Sequence, residues 1–284
     1  MSGETDFSGW IGKSETEYGV ASAYAANYFT LTLDRDDPLF VDGDPLPPAW
    51  HYFYFHELVA LAATGEDGHR AKGDFMPPLP FPRRMWAGSK MTFESPIRIG
   101  EQVRKVITIA DIAMKEGNSG KMCFVTTTEE VFGEDDRLTT SETRTQVYRE
   151  PADPNAPPLP PRPAPCAHVW TRTINPGSVL LFRYSALTMN SHKIHYDKDY
   201  VRDVEGYPGL LVHGPLTMTL MLDLFRRENF GATMTSLDLR AVSPIYDTTD
   251  FSVNGAPGDD GTCKLWAMTG EGALAMTADV TYEG

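Results

Sequence analysis

Apolar and polar positions recur with two different periods along this chain, and the change of period marks out its elements. From Gly214 to about Arg227 the stretch GPLTMTLMLDLFRR is apolar on nearly every side, with Leu216, Met218, Leu220, Met221, Leu222, Leu224 and Phe225. A helix that is apolar all round has to be wrapped by other structure. LDLRAV and LAMTADVTY alternate instead, which puts Leu274, Met276, Ala278, Val280 and Tyr282 on one face of a strand. The first half carries a similar order. There PAWHYFYFHELVALAA predicts a helix from Pro48 to about Ala63, ahead of a run of strands. Ser95-Pro96-Ile97 and Ser243-Pro244-Ile245 fall in matching settings, SKMTFESPIRIGEQV and TSLDLRAVSPIYDTT. A long helix followed by antiparallel strands, twice over, predicts an α+β architecture of sheets curled around helices, built by duplication.

The two halves are separated by PADPNAPPLPPRPAP, residues 151–165, with eight prolines in fifteen positions. Proline lacks an amide donor and fixes φ, so this segment can be neither helix nor inner strand. It reads as an extended spacer lying over the surface. It leaves a first domain of residues 1–150 and a second of 166–284, both of ordinary domain size.

Composition narrows the function. With 41% hydrophobic and 23% charged residues, the chain is an ordinary soluble globular protein. Its net charge of -14, from 25 basic and 39 acidic residues, argues against nucleic acid or an anionic membrane as partner. No apolar run is long enough to span a bilayer, and MSGETDFSGW lacks the basic and apolar regions of a signal peptide. Cys123, Cys166 and Cys263 are scattered and read as free thiols of a reducing compartment, so a cytoplasmic location is expected.

The densest chemistry is TMNSHKIHYD, residues 188–197, just ahead of the apolar helix. Three readings compete. His192 and His195 are spaced to share a metal, but a zinc site wants more ligands, and Lys193 would set a positive charge beside the ion. No metal is expected. The bland reading makes both histidines loop braces bonded to backbone. In the third, a histidine titrating near neutrality takes a proton from water. Asn190 would orient that water but cannot deprotonate it, so the base is His195. Gly214, at a helix start, would offer a free backbone N–H to a developing oxyanion.

RYSALTMNSHKIHYDKDYV followed by GLLVHGPLTM resembles the signature of the MaoC-like, type 2 enoyl-CoA hydratases, which adopt the hot-dog fold. By that resemblance Asn190 occupies the family's catalytic Asp position, His195 its catalytic His, and Gly214 the site of its thioester-binding amide. Three positions depart from the pattern: Asn190 replaces Asp, His192 replaces Asn, and Lys193 replaces Pro. The form Asn-x-His-Lys-Ile-His-Tyr-Asp is similar to one branch, the hydroxyacyl-thioester dehydratases and the 3-methylfumaryl-CoA (mesaconyl-CoA) and itaconyl-CoA hydratases. LPPAWHYFYF, GEDGHRAKGDFMPPLPFPRRMWAGSKMTFESPIRIGE and KEGNSGKMCFVTTTEEVF resemble the N-terminal dehydratase-like half of those hydratases. The resemblance thus covers almost the whole chain and implies a double hot-dog fold.

It also implies an activity: reversible hydration of a short branched unsaturated dicarboxylyl-CoA to citramalyl-CoA. Coenzyme A would be part of the substrate, with no separate cofactor. The alternatives are a 3-hydroxyacyl-carrier-protein dehydratase, which the acidic charge disfavours, and a non-catalytic acyl-CoA-binding hot-dog protein. The expected partner is an acyl-CoA, with neither nucleic acid nor membrane, and a homodimer is left open.

Further residues follow from this reading. Aligned on LTLDRDDPLF, Phe40 stands where His195 stands in the second half, so the first half is expected to be degenerate and to shape the pocket. A dicarboxylyl substrate needs a cation beside its acyl chain, for which Arg84, Arg183 and Lys193 are candidates. Arg83, Trp86 and His192 join them as substrate-binding candidates, and His213 either orients the loop or touches substrate. GHRAKG, residues 68–73, reads as a mobile basic loop near coenzyme phosphates. The aromatic run WHYFYFHE, with His51 and His56, reads as core.

Overall fold

The computed structural model describes residues 6–117, 120–150 and 160–284. The chain runs β1 (Ser14–Val20), α1 (Ala23–Thr32), β2 (Arg83–Phe93), β3 (Gln102–Gly117), β4 (Gly120–Phe132) and β5 (Leu138–Arg149). It continues through β6 (Trp170–Ile174), α2 (Ser178–Thr188), the single turn α3 (Lys198–Tyr200) and α4 (Gly214–Glu228). β7 (Thr233–Ala241), β8 (Phe251–Pro257), β9 (Thr262–Met268) and β10 (Leu274–Glu283) complete it. The strands form one antiparallel sheet in the order β1-β3-β4-β5-β2-β7-β10-β9-β8-β6. Followed outward from its middle, the sheet has the same topology in both directions.

The two units join where β2 pairs with β7, Lys90 opposite Asp238. Lys90 lies five residues before Ser95 and Asp238 five before Ser243, so equivalent residues face each other across a pseudo-twofold axis. The Ser-Pro-Ile segments make the same turn after each of these strands. Ser95 Oγ donates to the Leu138 carbonyl (2.9 Å), and Ser243 Oγ to that of Leu274 (2.8 Å). Of the proline-rich segment, residues 151–159 lie outside the described residues. Its end lies along the β9–β10 turn, where the Leu274 amide donates to the Arg162 carbonyl at 2.8 Å.

α4 is the wrapped helix that the apolar pattern predicts. Every residue from Leu216 to Phe225 is buried. Pro215 fits its first turn, where a missing N–H costs nothing. The buried Thr217 and Thr219 hydroxyls donate back to the carbonyls of His213 and Pro215. Asp223, fully enclosed, is held by Arg35 (2.5 Å), Arg172 (2.9 Å) and Arg227 (2.8 Å). Among the described residues no helix is long and apolar enough to cross a membrane.

The helix expected over Pro48–Ala63 does not form. Only a 3-10 turn, Trp50–Phe53, is helical near its start, and Ala49 before it is left-handed with φ 65°. Trp50, Phe53, Tyr54 and Phe55 are core, as is His51, but His56 is exposed and bonds the Leu187 carbonyl (2.9 Å). The reason lies on the inner face of the first unit's sheet, which is charged. Arg144 Nε lies 3.0 Å from Glu142 and 3.2 Å from Glu129, and Lys105 Nζ lies 2.8 Å from Glu17. Tyr52 Oη, on the 3-10 turn, donates to Glu142 (2.8 Å), and Ser89 Oγ donates to it as well. Buried charges have to be paired and hydrogen-bonded. An apolar helix laid over them would supply no such partners, whereas one short turn delivers the tyrosine hydroxyl.

Candidate functional site

α2 ends at Met189, whose left-handed φ of 50° turns the chain back at once. The turn that follows brings the loop histidines inward: Ile194 and His195 are buried on a 3-10 turn, and His192 is buried just before it. His195 Nδ1 is 2.7 Å from the Leu211 carbonyl. A carbonyl only accepts, so Nδ1 carries the proton and Nε2 is left as the basic nitrogen. Burial lowers the His195 pKa to about 4, against the opposing effect of the Leu211 bond, so the ring is neutral at pH 7. His213 stacks on it at 3.6 Å and 18° and is held by Ser185 Oγ (2.8 Å). Fully buried, His213 forms the wall of the site behind His195.

Asn190 shapes the loop. Its Oδ1 accepts from the His192 backbone N–H (3.0 Å), and its own backbone N–H donates to the Ser185 carbonyl (2.9 Å). That assigns the oxygen and leaves Nδ2 as the donor still to be used. Gly214 is the first residue of α4, so its N–H has no acceptor within the helix. Trp86 lies against it: a Cβ on residue 214 would fall 2.7 Å from the Trp86 ring, so only glycine fits. A bulge in β2 between Trp86 and Gly88 brings Trp86 and Ser89 to one face, and Trp86 Nε1 donates to Ser89 Oγ at 3.0 Å. The indole therefore buttresses the helix start, with its polar atom committed to Ser89.

The first unit reaches into this site through a loop read above as mobile and basic. Gly68 packs so closely that a Cβ would fall 2.1 Å from the Ser191 carbonyl, at a φ of 92° that glycine alone adopts readily. Ser191 Oγ donates to the Gly68 carbonyl (2.6 Å) and the Lys193 amide to that of Asp67 (2.9 Å). His69 thereby stands 4.3 Å from the His192 ring, and His192 is 5.6 Å from His195. The loop's basic residues are committed elsewhere. Arg70 pairs with Glu15, Glu57 and Asp74, and Lys72 donates to the carbonyls of Leu79 and Phe81. His69 escaped the sequence reading because nothing local distinguishes it; the paired glycines around it were the one signal.

The remaining candidates separate. Strand alternation turns Arg83 and Arg84 to opposite faces. Arg83 bonds the Glu205 carbonyl (2.8 Å), whereas Arg84 lies near His69 and His192 and helps to hold both imidazoles neutral after burial has done most of it. The His192 pKa is lowered to about 3. Arg183 faces solvent on α2, and Lys193 Nζ sits 5.1 Å over the Tyr200 ring. Phe40 packs against Trp50 at 5.8 Å.

Comparison with known proteins fits this arrangement. The family described as hydroxyacyl-thioester dehydratase type 2 matches residues 49–247. The mesaconyl-C(4)-CoA hydratase of Chloroflexus aurantiacus is 38% identical over 282 residues, covering 98% of this chain and 99% of that protein. HtdX of Mycobacterium tuberculosis superposes with a TM-score of 0.65 at 17% identity, over 94% of this chain and 99% of its own. A second protein of that organism, described as a double hotdog fold, gives 0.59 at 13% identity over 96% of each chain. These two show the fold alone. The chain belongs to the type 2 hydroxyacyl-thioester dehydratase family, and is a double hot-dog hydratase/dehydratase.

Proposed function

We infer that the chain hydrates 3-methylfumaryl-CoA, the mesaconyl-C4 thioester, to citramalyl-CoA, and that His195 is its base. The observation that carries this reading is the Leu211 bond to His195 Nδ1, which leaves Nε2 basic beside the start of α4. In the proposed step the thioester oxygen accepts from the Gly214 N–H, which makes the β-carbon electrophilic. Water, held by a bond from Asn190 Nδ2, adds its oxygen to that carbon and gives a proton to His195 Nε2. The electrons of the double bond move to the thioester as an enolate. The α-carbon then takes the proton from the His195 imidazolium, which restores the neutral ring.

The substrate choice rests on the 38% identical relative, named for the mesaconyl-C4 thioester. Itaconyl-CoA is the second reading, since it adds water to give the same product. Turnover of 3-methylfumaryl-CoA, itaconyl-CoA and crotonyl-CoA, measured side by side, tests the choice. A kcat/KM for 3-methylfumaryl-CoA well above the other two is expected. Preference for crotonyl-CoA would sink it.

A further inference from the structure

We propose that Arg84, flanked by His69 and His192, forms a subsite for the free carboxylate of the acyl group. It rests on the hydration reading above and names what would select a dicarboxylyl thioester over a plain enoyl one. In 3-methylfumaryl-CoA the free carboxylate is attached to the β-carbon, the atom that receives the water oxygen. Its cation therefore belongs beside the base, not at the end of a long pocket.

Among the described residues, Arg84 is the cation that meets this condition. Arg183 faces solvent, Arg83 is held by Glu205, and Lys193 lies over Tyr200. Arg144 is enclosed by Glu129 and Glu142. Arg84 projects from β2 on the same face as Trp86, two residues from it, whose ring covers Gly214, and its charge acts on the Tyr148 hydroxyl and on the His69 and His192 rings, which stand 4.3 Å apart. No carboxylate of the described residues is within ion-pair distance of it. Asp67, on the loop that carries His69, spends Oδ1 on the His69 amide (3.0 Å).

A half-buried guanidinium beside neutral imidazoles, with no carboxylate of the described residues in ion-pair contact, is an unfavourable arrangement for the protein alone. A bound carboxylate completes it. The planar fork of Arg84 accommodates both carboxylate oxygens, and the ring N–H groups of His69 and His192 are further donors. The same anion favours the imidazolium that His195 becomes when it takes the proton of water.

The test compares succinyl-CoA with butyryl-CoA, thioesters of equal length with and without the carboxylate, binding to the full chain and its Arg84→Gln and Arg84→Lys variants. Arg84→Gln should weaken succinyl-CoA about a hundredfold, the scale of a lost charged hydrogen bond. Butyryl-CoA should change by less than about threefold. Arg84→Lys should recover part of the loss, as a point charge in place of a fork. Equal weakening of both thioesters, or of neither, overturns the subsite. Selective loss of succinyl-CoA in a protein that hydrates no dicarboxylyl thioester would sink the hydration reading and leave the subsite standing.

Discussion

β5 and β10 hold equivalent places in the two units, and their inner faces have opposite chemistry. The matched serine bonds align Leu138 with Leu274, which sets Glu142 against Ala278 and Arg144 against Val280. The neighbouring strands agree: Glu129 pairs with Glu142, and Leu265 with Ala278. In the second unit this face is apolar and lies beneath α4. In the first it is charged, no long helix among the described residues covers it, and its network runs through Ser89 and Trp86 to Gly214. One topology thus supports two interiors. What decides between them is the partner each inner face demands, a greasy helix for one and a set of polar side chains for the other. The site lies at the seam, where the helix of the apolar unit meets the indole and the His69 loop of the charged one.

The sharpest way to break this asymmetry is to remove the group that one unit has and the other lacks. His195→Ala should cost at least about a hundredfold in kcat while thioester affinity persists, because general-base catalysis contributes on that scale. Phe40→Ala, at the corresponding place, should leave proton transfer intact in a protein that still folds and binds. A comparable loss of kcat in both variants would mean that both units do chemistry.

The next effect is on stability. Glu142→Leu leaves Glu129 as the remaining carboxylate beside Arg144 and removes the acceptor of the Tyr52 and Ser89 hydroxyls, and should cost about 3–5 kcal/mol in urea unfolding, the range for breaking a buried ion pair. Its equivalent in the apolar unit is already Ala278, so leucine there is a matter of fit alone. If Glu142→Leu left stability unchanged, the charged interior would be solvated and not buried.

The last test concerns pH. Burial lowers the pKa of His51 in the first unit to about 3, of His192 to about 3 and of His195 to about 4. The unfolded chain takes up these protons near pH 6.5 and the folded one does not, so each histidine stabilises the fold above that pH and loses its contribution as pH falls toward 4. The slope is about 1.4 kcal/mol per pH unit for each. Melting temperature should fall from pH 6.5 to 4, less steeply in His51→Leu. An unchanged slope in that variant would mean that His51 charges in the native state.

Much of the fold was legible because it is local or repeated. α4 and β10 followed from their periods, and Ser95-Pro96-Ile97 with Ser243-Pro244-Ile245 marked the same turn in each unit. Pro48–Ala63 misled because its aromatic spacing suits a helix, while the charges that forbid one lie far along the chain on β4 and β5. The loop around His195 was visible as a cluster of polar groups, but the tautomer of its ring depends on Leu211, sixteen residues later.

By itself, then, the sequence determined the duplication, the wrapped helix and the loop that carries His195, because hydrophobic period and short-range chemistry act between near neighbours. Only the tertiary structure decided that the first unit has a charged interior without a long helix, that Trp86 buttresses Gly214, and that His69 and Arg84 stand beside His192. The last two of these relations join residues more than a hundred positions apart. Pairing buried charges and packing one loop onto another are conditions on neighbours in space, and a linear pattern carries no record of them.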